Sequence, residues 1–167
     1  MNPKTFDDLY RSYIQDIFRY LLFLCHDYYL AEDIVNETFY RAYLFLEDCQ
    51  PEKVKPWLHK VAYNAYVDYM RKNSRVRLED KSFFERIGDS KTPEELLIIK
   101  EELLEIDQVI ATLPENQRQA ILLYDYQGLQ YKDGAEIMNV SIGHFKVLLF
   151  RARQRIRNER RGAGHLE

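Results

Sequence analysis

YKDGAEIMNVSIGHFKVLLFRARQRIRN, Tyr131 to Asn158, is the stretch on which the fold turns. Two helical runs meet at Asn139-Val140, and Ser141 stands where a side-chain oxygen caps the second. In that second run Ile142, Phe145, Leu149, Ala152 and Ile156 recur at three and four residues, which makes one apolar stripe. The opposite face carries Lys146, Arg151, Arg153, Arg155 and Arg157. A capped helix with a basic face, joined to a preceding helix by a short turn, is the pattern of a helix–turn–helix. Such a motif lays its second helix in the DNA major groove and reads bases near that helix's N-terminus. Here those residues are Gly143, His144, Lys146 and Val147, with the later arginines reaching phosphates.

Upstream, Leu113-Pro114 starts a helix that stops near Gly128, so the motif belongs to a helical module running from Glu94 to Arg160. The first seventy or so residues are helical as well. Leu9, Tyr13, Ile17, Tyr20, Leu21 and Leu24 mark one helix. Ile34, Val35, Thr38, Phe39, Ala42 and Leu46 mark the inward face of a second, which begins near Leu30. Pro51 ends that unit, and Pro56 sits where the first turn of a third helix tolerates proline. From Asn73 to about Pro93 the periodicity fades, which predicts a linker. The fold class expected is therefore all-α, with two small helical domains, 1–75 and 94–167, joined by a flexible linker, 76–93.

Composition bounds the chemistry. The chain has 167 residues and a formal net charge of −3, which alone argues against nucleic acid. The average conceals a pattern. Lys53 to Arg77 holds seven Lys/Arg against one acid, and Lys146 to Arg161 again seven against one. Between them, Glu79 to Asp107 holds ten acids against four bases. Two basic patches on separate modules predict two polyanion-binding surfaces. Cys25 and Cys49 have no partner spacing, so neither zinc nor a disulfide framework is indicated, and the chain reads as cytoplasmic. No glycine-rich phosphate loop, HExxH or nucleophile elbow is present. His26, His59, His144 and His165 lie in different segments and read as surface or capping residues. Asp33 and Glu37, one helical turn apart, have the spacing to hold Mg²⁺, but such a pair is more commonly a solvated or protein-docking face. No metal, cofactor or small-molecule substrate is expected, and no catalytic residue.

The first basic patch contains KPWLHKVAYNAYVDYMRK, Lys55 to Lys72. Helical spacing puts Trp57, Val61, Ala65 and Tyr69 on one stripe beside Leu58 and Ala62, so Trp57 is expected in the core. Lys60, Tyr63 and Asn64 fall elsewhere. A ring, an amide with both donor and acceptor, and flanking cations suit the capture of an unstacked base, with Lys60, Arg71, Lys72 and Arg75 along the backbone.

Three blocks, AEDIVNETFYRAY, KPWLHKVAYNAYVDYMRK and LPENQRQAILLYDYQGLQYKDGAEIMNVSIGHFKVLLFRARQRI, together resemble the extracytoplasmic-function (ECF) sigma factors of bacterial RNA polymerase. The resemblance is nearest to the envelope-stress members of Bacillus-type bacteria. It implies a subunit that binds core RNA polymerase and directs promoter-specific initiation, with no bond chemistry of its own. Glu32, Asp33, Asn36 and Glu37 would face the β′ clamp coiled coil. Asn64 would line the pocket for a flipped −10 base. Tyr131, Lys146, Val147, Phe150 and Arg151 would contact the −35 duplex, with Ser141 and His144 beside them. The second domain would also sit on the β flap, and the acidic linker would thread the RNA exit channel. A membrane-anchored anti-sigma factor would hide these surfaces and hold the chain at the membrane's inner face.

The chain departs from the family pattern at Asn36 for the usual Gln, Tyr63 for Arg, Gly134 within a helix, and Val147-Leu148 for a frequent Ser-Arg pair. Residues alone leave two other readings open. One is a stand-alone helix–turn–helix repressor or activator, which gives Asp33, Asn36 and Glu37 no role. The other is a nucleic-acid-processing enzyme, which would need a metal site.

Overall fold

The computed structural model describes residues 5–45, 50–73, 108–110 and 112–164. The chain divides into two compact units between Lys91 and Thr92. The predicted linker 76–93, and with it Leu46, Cys49, Arg75 and His165, lies outside the described residues.

Among the described residues of the first unit, α1 (Phe6–Cys25), α2 (Tyr28–Phe45) and α3 (Val54–Lys72) each pack against the other two. Thr5 caps α1 by accepting a hydrogen bond from the Asp8 amide at 3.2 Å, and Asp7 and Asp8 lie where the helix dipole favours acids. The helix ends at His26, whose left-handed φ of 51° turns the chain so that its N–H reaches the Leu22 carbonyl. Asp27 then starts α2. Its buried carboxylate accepts from the amides of Tyr29 at 3.1 Å and Leu30 at 3.3 Å. The second helix thus begins two residues before the sequence-based expectation, and Glu32 and Asp33 lie beyond its first turn.

Leu9, Ile17, Tyr20 and Leu21 of α1 meet Ile34, Val35, Phe39 and Ala42 of α2 in the core. From α3 the buried set is Val54, Leu58, His59, Ala62, Ala65 and Tyr66. Two expectations are corrected here. Trp57 is only half-buried, because the inward stripe of α3 is centred on Leu58 and Ala62, and Trp57 closes its edge. His59 is a core residue, fully buried, with Nδ1 2.9 Å from the Lys55 carbonyl and its ring 5.2 Å from that of Tyr20. Its polar edge is satisfied inside its own helix, which is why burial is tolerated.

Among the described residues of the second unit are α4 (Glu115–Ile121), α5 (Tyr131–Met138) and α6 (Ile142–Gly164). Helix α4 continues into a five-residue π-helical turn, Leu122–Tyr126. Gly128 follows at φ +72°, a conformation that glycine adopts without strain. Asn139 ends α5 in the left-handed region at φ 57°, and the next amide, Val140, reaches back to the Ala135 carbonyl at 3.0 Å. Ser141 Oγ accepts from the His144 amide at 3.0 Å and caps α6. The turn and cap expected at 139–141 are both present.

Phe145, Leu148, Leu149 and Ala152 are the buried side of α6. Ile142, assigned to that stripe from spacing, is exposed instead, since it precedes the point where α6 meets α5. Gly134 has a packing reason. A Cβ there would stand 2.4 Å from Phe145 Cζ and 2.7 Å from Cε2, so the absent side chain is what lets α6 seat its ring on α5. Helix propensity alone would favour alanine by about 1 kcal/mol. The overlap predicts the reverse sign: Gly134→Ala should destabilise this unit by roughly 1–3 kcal/mol. Urea denaturation of the full chain checks it, and a rise in midpoint would show that Phe145 has room to move.

Candidate nucleic-acid interface

Helix α3 presents the first candidate surface. Lys60, Asn64 and Arg71 lie along the face opposite Leu58, Ala62 and Ala65, with Tyr63 at its border and Lys72 in the last turn. Asn64, Arg71 and Lys72 are exposed, while Lys60 and Tyr63 are half-buried. The Tyr63 ring stands 6.5 Å from that of Tyr66, tilted by 35°. Tyr66 is buried, so the ring beside Asn64 rests on a fixed support. A planar ring, an exposed amide and two cations, Lys60 and Arg71, thus share one helix surface, with Lys72 at its end. Arg75 is not among the described residues.

Helix α2 carries a second, acidic surface. Glu32, Asp33, Asn36 and Glu37 are all exposed, on the side away from Ile34, Val35 and Thr38. Arg41 links this surface to α3, with Nε 2.9 Å from Glu37 and Nη2 3.4 Å from Asp68. Both pairs are solvent-exposed and contribute little to stability, but they hold Glu37 in one orientation. The stripe runs on into Tyr40, 60% exposed, and Leu44, 54% exposed. Sequence reasoning missed these two. The signal was available, because Asp33, Glu37, Tyr40 and Leu44 follow one another at helical spacing.

The third surface is the helix–turn–helix. His144, Lys146, Val147, Phe150 and Arg151 are exposed on α6, and Tyr131 opens α5 half-buried. Ser141, grouped with them from sequence, has its hydroxyl engaged in the cap. Of the Val147-Leu148 pair, Leu148 is core and only Val147 faces outward.

Beneath this surface lies a layered stack. The rings of Tyr124 and Tyr131 are parallel to within 6° at 4.5 Å, Lys146 Nζ stands 5.1 Å over Tyr131, and the Arg153 guanidinium 5.4 Å over Tyr124. Asp125 accepts two hydrogen bonds from Arg153, at 2.6 and 3.1 Å. Arg153, assigned to the phosphate-contacting face from spacing, is therefore corrected to a residue that ties α6 to the π-helical turn. A hydrogen bond with the Tyr131 phenol is the main cause holding the Tyr124 pKa above its ordinary value. Sequence gave no hint of Tyr124, because the π-helical turn changes the register that sets where its ring points. Among the described residues no three His, Cys, Asp or Glu side chains converge to hold a metal ion.

Comparison with known proteins agrees with this arrangement. Residues 9–76 match the family described as Sigma-70 region 2. Residues 103–156 match Sigma-70, region 4. The chain is 42% identical over 157 residues to the ECF RNA polymerase sigma factor SigM of Bacillus subtilis, covering 92% of this chain and 93% of that protein. It is 30% identical to the RNA polymerase sigma-H factor of Pseudomonas aeruginosa, over 93% of this chain and 86% of that one. The sigma factor RpoE of Bartonella quintana, solved in complex with the anti-sigma factor NepR, shares the fold at a TM-score of 0.67 and 21% identity, covering 91% of this chain and 96% of the other. CnrH, solved with the cytosolic domain of CnrY, does so at 0.67 and 18%, covering 94% and 88%. With both sigma regions in order along the chain and a 42% identical relative matched nearly end to end, the protein belongs to the ECF sigma factor family of bacterial RNA polymerase.

Proposed function

We propose that this chain joins core RNA polymerase through the Glu32–Asp33–Asn36–Glu37 face of α2, extended by Tyr40 and Leu44. The complex is then directed to promoters by α3 at the −10 element and by α6 at the −35 element. In this reading the domains are 1–75 and 94–167, with 76–93 as a linker that threads the RNA exit channel, and the second domain rests on the β flap. The observation that carries this reading is the separation of surfaces. One unit holds an acidic docking face beside an exposed ring–amide–cation surface, and the other holds a capped recognition helix with an exposed cationic face.

The mechanism is binding energy without bond chemistry. Unstacking a −10 base costs a few kcal/mol. Stacking on Tyr63, base-edge hydrogen bonds from Asn64 and phosphate contacts from Lys60, Arg71, Lys72 and Arg75 offset that cost. On the duplex side, log affinity falls with log salt at a slope of roughly −0.9 per phosphate contact. Arg151→Ala should therefore flatten the slope by about one unit while lowering affinity evenly across sequences. A salt series on the holoenzyme with a −35 duplex reads this out, and an unchanged slope removes Arg151 from the phosphate set.

The relatives support regulation by sequestration, since one solved neighbour was captured with an anti-sigma factor and the other with the cytosolic domain of CnrY. We place this chain in an envelope-stress response, held inactive in the cytoplasm by a membrane-anchored anti-sigma factor until a signal releases it. No described helix is itself long and apolar enough to cross a membrane. Run-off transcription from genomic promoter DNA with purified core polymerase tests the proposal. The chain should raise specific transcripts well above core alone, and equal output with and without it rejects the assignment.

A further inference from the structure

We infer that Val147 reads a thymine 5-methyl group in the upstream promoter element, which makes it a specificity-determining residue of this chain. The inference rests on the assignment of α6 as the duplex-reading helix. Val147 is 43% exposed on α6, and it lies one turn after Gly143 and one turn before Arg151. Nothing stands within 4 Å of where a Gly143 side chain would begin, so a base edge can approach Val147 from that side. Leu148 and Leu149 point into the core, so they cannot share the contact. Lys146 is drawn toward the Tyr131 ring, 5.1 Å away.

At Val147 the outward face of this helix therefore presents an isopropyl group with a clear approach, beside the larger exposed ring of Phe150, which V147S leaves in place. The isopropyl group can neither donate nor accept a hydrogen bond. Facing an amino group, O6 or N7, it would leave a polar base atom without water or partner, which is unfavourable. The one apolar group on the floor of the major groove is the thymine methyl, and apolar side chains discriminate by contacting it.

The test uses core polymerase loaded with the full chain. Duplexes enriched from a random-sequence pool are remade with deoxyuridine replacing thymidine one position at a time, which removes the methyl and leaves pairing intact. One upstream position should lose about fourfold in affinity, the worth of one buried methyl group. In V147S, where a hydroxyl replaces the apolar surface, that position should tolerate uridine without loss and the preferred base there should shift. Val147 lies outside the core, so folding is preserved. Absence of any uridine-sensitive upstream position overturns the inference, as does sensitivity that persists in V147S. If the pool yields no upstream consensus at all, the duplex-reading assignment of α6 fails and the inference falls with it.

Discussion

Reversing two charges on α2, Asp33→Lys with Glu37→Lys, should lower affinity for core polymerase by at least about a hundredfold, since breaking docked charge pairs costs several kcal/mol. Both side chains are exposed and neither contributes to the core, so the variant should fold. Glu37 does hold Arg41 at 2.9 Å, and its loss frees one end of the bridge to Asp68. That bridge is exposed, so the effect on stability should stay within about 1 kcal/mol. Single Asp33→Lys, which leaves Arg41 untouched, separates docking from any shift of α2 against α3. Titration of labelled chain with core polymerase gives the affinity. A chain that shows no polymerase binding to lose, and whose double variant keeps full affinity for its duplex, would return the stand-alone regulator to favour. Polymerase binding unchanged by the double variant would instead remove this face of α2 from the docking surface.

The second large effect is a crossed pattern of losses. Tyr63→Ala should cost single-stranded −10 DNA about 1–3 kcal/mol of binding, the worth of one stacked base. Asn64→Ala should act in the same assay through lost base-edge bonds. Neither should change binding of duplex −35 DNA. Lys146→Ala should do the reverse, weakening the duplex and sparing the single strand. The separation follows from the structure, because Tyr63 and Asn64 lie on α3 of one unit and Lys146 on α6 of the other. Both assays are run on the holoenzyme, by fluorescence with short labelled probes. Equal damage by Asn64→Ala and Lys146→Ala in both would contradict two independent surfaces.

Much of this was legible in the sequence, for identifiable reasons. Local signals are strong where one residue type does one job. Ser141 caps, Asn139 turns left-handed, and Phe145, Leu149 and Ala152 recur at the helical period. The exposure of Glu32, Asp33, Asn36 and Glu37 follows from the burial of Ile34, Val35 and Thr38 between them. What was missed depends on neighbours distant in sequence. Spacing gives α3 an apolar side but not its centre, so Trp57 went to the core, where it only closes the edge, and His59 to the surface, though it is fully buried. Gly134 reads as a flaw until the Phe145 ring is seen against it. Arg153 reads as one more phosphate contact until Asp125, 28 residues earlier, is found holding it. The π-helical turn that brings Tyr124 onto Tyr131 has no signature in a single sequence.

The central claim is that this chain opens promoters only as part of a polymerase. Permanganate footprinting of unpaired thymines on a genomic fragment that supports run-off transcription tests it most directly. Core polymerase alone, and the chain alone, should leave the fragment unreactive. Together they should expose thymines around the transcript start, and Tyr63→Ala with Asn64→Ala should suppress that reactivity while −35 protection persists. A fragment bound by the chain alone and never opened by the two together would contradict the account.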